Sequence, residues 1–381
     1  MSVRLITGAT GFVGGAVVLE LLDRAEGRVL AVVRGRDAAQ ARARLHGALE
    51  EMAAGYGRPD LIPAVRERTD AVPGDILAPA CGADQADLPD VDEFWHVAAS
   101  LKYKEKDREE IEAANVGGTE NALDLARRLG VPVFNYVSTS YVAGSRRGIV
   151  PEGPVLDASL ANNCYEETKI RAERLVEAAA GTMRVRIMRP TIVVGHSRTR
   201  HGLNWSGLYG FARQLLVFQE LVRPKVGTLL SHTRLRLVSD PFAPINLVPV
   251  DVVARNAVTI ALSQSPATYF HLGNTVTPTA REVVGTVMGL TGLREPLWVR
   301  DKDDFTAIDD VLDKGMGFYG SYYRYGKRFD LSNTEAVCGP GSCHAPMDAE
   351  QITEFVRHYL SREPELAGKA GPARVLHAVA A

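Results

Sequence analysis

The sequence predicts an α/β protein, a doubly wound parallel sheet followed by a smaller C-terminal lobe. Three observations lead there. Short apolar runs alternate with helical segments up to about residue 195, and that alternation calls for parallel strands joined by crossover helices on both faces. The first run ends in a glycine cluster, TGATGFVGG, where a strand gives way to a helix. After about residue 196 the alternation yields to apolar segments rich in aromatic residues. A chain of 381 residues is long enough for one large domain or two lobes. The expected layout is a Rossmann-type domain over residues 1–195, to which a strand and helix within 240–275 return. Residues 196–363 then form mainly a second lobe, and 364–381 an Ala/Gly-rich, poorly ordered tail.

Each element has a local reason. Residues 3–6 and 28–33 (RVLAVV) are short apolar runs bounded by turn residues, so they read as buried strands. Residues 15–25 and 38–54 are free of proline and periodic in apolar residues, so they read as helices. A third strand precedes Gly74, and EFWHV within 91–97 is a fourth. Residues 107–129 are mostly helical in composition, 133–137 (VFNYV) form a strand, and 166–180 form a Glu/Arg/Ala-rich helix. Residues 185–188 and 192–194 add strand material. Beyond these, 246–262 reads as a strand then a helix, and 279–293 and 348–360 as helices. The stretch MGFYGSYYRYGKRF between the last two is aromatic and Gly-rich.

Bulk properties exclude several classes. Lys plus Arg number 44 against 46 Asp plus Glu, so nothing global points to nucleic acid or an anionic membrane. Four cysteines (Cys81, Cys164, Cys338, Cys343) are few for this length, which favours a reducing compartment over a disulfide scaffold. Cys338 and Cys343 bracket GPGS ahead of His344, but no second cluster stands at metal spacing, so no metal is expected. The N-terminus lacks a basic region followed by a long apolar one, and no apolar run reaches about 18 residues. A cytoplasmic protein without a signal peptide or membrane span is expected.

Gly8, Gly11 and Gly14 stand at the first strand-to-helix junction. Glycines there let the backbone turn tightly and approach a pyrophosphate seated on the helix N-terminus. An NAD-specific site would place a carboxylate at the tip of the second strand; this chain has Arg34 there, followed by Arg36. A guanidinium suits a 2′-phosphate through charge-assisted bonds, so NADPH is the expected cofactor, with Asp37 close enough to blur the preference. Asp75, at the third strand's tip, is positioned to accept from an adenine amino group.

Tyr165 and Lys169 are four residues apart on a helix and share a face. A tyrosine with an ordinary pKa is a poor acid at neutral pH; a neighbouring ammonium would lower that pKa and make it usable. Ser138, Thr139 and Ser140 follow the VFNYV strand and offer hydroxyls where an open α/β sheet binds its ligands.

Taken in order, TGATGFVG, GDI, HVAAS, ANVGGT, YVSTSYVAG, YEETK and MRPTIVVG resemble the extended short-chain dehydrogenases/reductases. VVRGRD followed by ARARL, GDILAPACG, ANVGGTENALDLA and INLVPVDVVARNAV resemble their thioester reductase and fatty acyl-CoA reductase branch. The resemblance implies Thr139, Tyr165 and Lys169 as the catalytic set. It implies that Gly8, Thr10, Gly11, Phe12, Val13, Gly14, Arg34, Arg44, Asp75, Ile76, Ala98, Ala99, Ser100, Lys169, Pro190, Thr191 and Ile192 bind the cofactor. Asn115 matches the family's helix asparagine. Thr168 stands where the family usually has serine, and the second half of the chain matches only loosely.

What this implies is NADPH-dependent reduction of an acyl thioester, on CoA or on a carrier protein's phosphopantetheine arm, to an aldehyde and, in a second round, an alcohol. The chain carries no adenylation-sized or carrier region, so action in trans is expected. From residue 198 to 236 the charged residues are Arg198, Arg200, Arg213, Arg223, Lys225, Arg234 and Arg236 against Glu220. With Trp205, Tyr209, Phe211 and Phe218 between them, these form either a basic rim around an apolar slot or an ordinary solvated helix face. Tyr319, Tyr322, Tyr323 and Tyr325 read as packing. Three other functions stay open at this point: a nucleotide-sugar epimerase or dehydratase, a ketone or aldehyde reductase of hydroxysteroid type, and an NADPH-binding sensor without turnover.

Overall fold

The computed structural model describes residues 2–83, 88–203, 206–323 and 326–370. In chain order the strands are β1 (Val3–Thr7), β2 (Arg28–Val33), β3 (Thr69–Pro73), β4 (Glu93–His96), β5 (Val133–Val137), β6 (Gly148–Val150) and β7 (Arg184–Pro190). Then come β8 (Ile192–Val194), β9 (Arg236–Val238), β10 (Leu247–Pro249), β11 (Tyr269–Leu272), β12 (Leu297–Val299) and β13 (Lys327–Phe329). The helices are α1 (Phe12–Arg24), α2 (Ala38–Gly55), α3 (Ile62–Arg68), α4 (Arg108–Glu112), α5 (Gly118–Arg128) and α6 (Cys164–Ala178). They continue with α7 (Leu208–Val226), α8 (Leu229–His232), α9 (Val250–Leu262), α10 (Ala280–Leu290), α11 (Ala307–Tyr323), α12 (Ser332–Cys338) and α13 (Ala349–Ala370).

Seven strands make one sheet in the order β11-β7-β5-β4-β1-β2-β3, and every pairing in it is parallel. Successive strand residues face opposite sides. Ile6 and Trp95 therefore pack with α1, α2 and α9 on one face, while Leu5 and Phe94 pack with α5 and α6 on the other. Each such fully buried side chain contributes about 1.5–3 kcal/mol. The order reverses at β1, which has β2 on one side and β4 on the other. A crevice opens above the C-terminal ends of strands at such a reversal, and ligands bind there.

A second apolar core joins α7, α10, α11 and α13, edged by the small parallel pairs β8–β10, β9–β12 and β6–β13. The aromatic, Gly-rich stretch, given no element by the sequence reading, is largely helical: α11 runs to Tyr323, with Leu312, Met316 and Tyr319 buried on one side. Gly315, Gly317 and Gly320 hide that periodicity in the sequence. Helix α13 extends to Ala370, over the start of the segment expected to be disordered; residues 371–381 lie outside the described residues. The helical run at 107–129 is interrupted by a wide turn at Ala113–Gly117, which carries Asn115.

Candidate active site

A cavity of about 940 Å³ opens at the reversal point. The glycine loop forms one wall. Gly8 has φ +78°, and a Cβ there would lie 2.7 Å from the Ala98 backbone nitrogen. A Cβ on Gly14 would lie 2.2 Å from the Gly8 carbonyl oxygen. Both positions therefore require glycine, and the backbone comes as close to a ligand as it can. Helix α1 starts at Phe12 with no side-chain cap and no acidic residue in its first turn. Its first N–H groups have no partner within the helix, which leaves an anion site facing the cavity.

Arg34 and Arg44 line the cavity where β2 ends, and the Arg44 guanidinium donates to the Arg34 carbonyl oxygen. Asp37 is engaged elsewhere: its carboxylate caps α2 by accepting from the Gln40 backbone N–H at 2.8 Å. Asp75 lines the cavity and accepts from the Leu77 backbone N–H at 3.1 Å.

Strand β5 and helix α6 supply the reactive side chains. Of the three hydroxyls after β5, Ser140 is used within the fold, donating to the Arg189 carbonyl at 2.6 Å. Thr139 accepts from the Tyr141 backbone N–H at 3.2 Å, and its hydroxyl sits beside the Tyr165 phenol. Ser138 lines the cavity, and its buried hydroxyl has no protein partner. Burial pushes the Tyr165 pKa up, the Glu166 carboxylate adds to this, and Thr139 opposes it. The phenol is therefore a protonated donor at neutral pH.

Lys169 departs from expectation. Its amine donates to the Tyr136 phenol oxygen at 2.6 Å and to the Val137 carbonyl at 2.9 Å. Burial lowers its pKa to about 7, with Glu173 opposing. The sequence argument has a free ammonium acidifying Tyr165; here the amine is held by strand β5, and desolvation sets both pKa values. Asn115 holds two pieces of the wall. It accepts from the Ser100 backbone N–H at 2.7 Å and donates to the Ser100 carbonyl and to Thr168 Oγ1. Thr168 in turn donates to the Tyr165 carbonyl at 2.9 Å, so threonine retains the hydroxyl that this tether needs.

Every residue expected at the site lines this one cavity, including Thr10, Phe12, Val13, Ile76, Ala99, Pro190, Thr191 and Ile192. One expectation needs correcting. Tyr319 and Tyr322 were read as packing, yet both line the cavity, with Tyr322 edge-on to Tyr141 at 4.3 Å. The basic rim, one of the two readings left open for residues 198–236, is not assembled around a slot: none of its residues is in the lining. Arg200 pairs with Glu354, Arg236 with Asp309, and Arg234 donates to the Glu295 and Pro296 carbonyls. Of the interleaved aromatics Phe211 lines the cavity, while Tyr209 and Phe218 are buried in the second core. Trp205, Tyr325 and the side chain of Tyr323 lie outside the described residues. Among the described residues no group of three or more His, Cys, Asp or Glu is placed to hold a metal, and no helix is long and apolar enough to cross a membrane.

Known proteins match this architecture. The chain is 30% identical over 284 residues to isonitrile lipopeptide synthase of Streptomyces coeruleorubidus, covering 72% of this chain and 18% of that protein. It is 32% identical over 185 residues to a 3 beta-hydroxysteroid dehydrogenase/Delta 5-->4-isomerase of Mycobacterium tuberculosis, covering 46% of this chain and 42% of the relative. It thus spans less than half the length of either. A solved structure, the terminal R domain from the myxalamid PKS-NRPS biosynthetic pathway, superposes with a TM-score of 0.74 at 25% identity, covering 95% of this chain and 91% of that one. The profile of the family described as Male sterility protein matches residues 6–257. The chain belongs to that family, the thioester reductase branch of the extended short-chain dehydrogenases/reductases, whose members are NAD(P)-dependent oxidoreductases.

Proposed function

We propose that this chain is an NADPH-dependent reductase of acyl thioesters. One observation carries the reading: the Thr139, Tyr165 and Lys169 side chains share a single cavity with the glycine loop. The residues present fit a dinucleotide. Gly8 and Gly14 leave no room for a Cβ, the first turn of α1 is unopposed by acid, and the Ser138 hydroxyl is buried without a partner. The pyrophosphate belongs at the α1 N-terminus, and a 2′-phosphate between Arg34 and Arg44; the neighbouring Asp37 carboxylate is committed to capping α2.

When bound, the cofactor supplies a hydride to the thioester carbonyl carbon. The chain's own residues handle the oxygen. Thr139 and Tyr165 donate hydrogen bonds to it, and these strengthen as negative charge develops. Tyr165 then transfers its phenolic proton. The resulting hemithioacetal releases thiol and leaves the aldehyde. Lys169, held by Tyr136 and Val137, keeps its remaining N–H for the cavity. Residues 1–195 with 240–275 hold the cofactor, and 196–363 mainly enclose the acyl group.

The likeness to isonitrile lipopeptide synthase and to the myxalamid terminal R domain supports a substrate carried on a carrier protein's phosphopantetheine arm. The likeness to the hydroxysteroid dehydrogenase favours a second reading, ketone reduction by the same three residues. Mixing the protein with NADPH and either octanoyl-CoA or an octanoyl carrier protein, and following cofactor absorbance, tests the first reading. Turnover that Tyr165→Phe abolishes supports it; turnover with steroid or simple ketones alone replaces it with the second.

A further inference from the structure

In its charged form the Lys169 side chain has three hydrogens to place. Two go to the Tyr136 phenol oxygen and the Val137 carbonyl, and the side chain, 1% exposed, lines the cavity. Tyr136 can accept from Lys169 only if its own proton goes elsewhere. Its phenol has the Thr119 hydroxyl as hydrogen-bond partner. Thr119 spends its proton on the Asn115 carbonyl at 2.7 Å, so its oxygen is free to accept.

The chain continues behind it. Thr119 Oγ1 lies 3.2 Å from His96 Nε2, and His96 Nδ1 lies 2.7 Å from Thr7 Oγ1. Thr7 Oγ1 already accepts from the Val97 and Ala98 backbone N–H groups. Its proton therefore goes to Nδ1, and the imidazole donates through Nε2 to Thr119. Thr7, His96, Thr119 and Tyr136 are each at most 1% exposed, so no water competes for these bonds. Every proton then has one direction: donation from Lys169 through Tyr136 and from Thr7 through His96 converges on Thr119 and ends at the Asn115 carbonyl.

We propose that Tyr136 is a positioning residue for Lys169: with its proton committed to Thr119, its oxygen clamps one amine N–H and leaves a single N–H for the bound cofactor and Tyr165. Thr7, His96 and Thr119 fix that polarity from behind. The inference rests on the role given to Lys169 in the proposed function.

The charged and titratable groups facing the amine are Glu173 and Tyr165 on α6, His96 on β4 and Tyr136 on β5. Glu173 is paired with Arg189 of β7. Burial, with Lys169 adding to it, holds His96 neutral, its pKa pushed down to about 3. Burial lowers the Lys169 pKa to about 7, so the amine titrates between pH 6 and 9. Losing its acceptor makes the charged form harder to keep.

The test uses the full chain as wild type, Tyr136→Phe, Thr119→Val, Thr119→Ser and Lys169→Met. NADPH affinity is measured by fluorescence from pH 6 to 9, beside octanoyl-CoA reduction. In Tyr136→Phe and Thr119→Val the alkaline fall of NADPH affinity should move to lower pH by about one unit, the size of one lost hydrogen bond to a charged group. Thr119→Ser, which keeps the hydroxyl, should retain the wild-type profile. Tyr136→Phe is nearly isosteric and carries the test if Thr119→Val fails to fold. Profiles of Tyr136→Phe and Thr119→Val that superimpose on wild type, with Lys169→Met impaired, overturn the positioning role alone. A Lys169→Met protein that binds and reduces like wild type overturns both this inference and the role of Lys169 on which it rests.

Discussion

At the glycine-loop end of the cavity the wall is backbone: Gly8 and Gly14 without room for a Cβ, the open N-terminus of α1, and two exposed guanidinium groups, Arg34 and Arg44. At the opposite end the wall is side chains: Leu208 and Phe211 from α7, Val283 and Val284 from α10, Tyr319 and Tyr322 from α11. The first end offers open backbone N–H groups and guanidinium charge, which suit an anionic ligand, so its chemistry is nearly fixed. The second presents apolar and aromatic surface, so its shape decides which apolar group fits. Tyr165 and Thr139 stand between the two.

Four measurements break or sharpen that contrast. The largest effect belongs to the junction. Tyr165→Phe should lower kcat by about 100-fold or more, the usual worth of a positioned acid, while NADPH affinity stays within about twofold; equal losses in both would erase the distinction between the ends. Next, Arg34→Ala should weaken NADPH about 10- to 100-fold through lost charge-assisted bonds. NADH affinity and chain-length preference should not change, and titrating both cofactors checks this. Val284→Phe fills the other end. Reduction of long acyl thioesters should fall about tenfold against short ones, with NADPH affinity unmoved, and kcat/KM across a chain-length series reads it out.

The smallest effect is on stability. Lys169 titrates near 7 in the fold, below its ordinary value of 10.5. Between those two pH values the unfolded chain binds more protons, so wild-type stability falls as pH drops from about 10.5 to 7 and levels off below. Lys169→Met lacks this dependence. Its Tm relative to wild type should therefore rise as pH is lowered through that window; a constant difference would mean that the amine is not desolvated.

The same contrast governs what could be read from the residues alone. Gly8, Gly14, Arg34, Tyr165 and Lys169 lie in short motifs whose spacing carries the geometry, and the strands around them are continuous apolar runs. The aromatic end has no such signature. Tyr322 meets Tyr141 from the other half of the chain, and α11 is disguised by its glycines. The arginines between 198 and 236 stayed open to two readings because their partners, such as Glu354 and Asp309, lie far along the sequence. The hold of Tyr136 on Lys169 was equally hidden, since one sits on β5 and the other on α6.

The pairing of β13 with β6 sets a sequence of assembly during translation. All seven strands of the main sheet have been made by Leu272, but β6 finds its partner only when Lys327–Phe329 emerges. A ribosome-bound chain thus completes its main sheet well before this small pair can form. Contacts made late between distant segments are slow to form, so a lesion near residue 327 should leave the main sheet able to assemble while delaying the docking of the late segment, a lag that refolding kinetics would read.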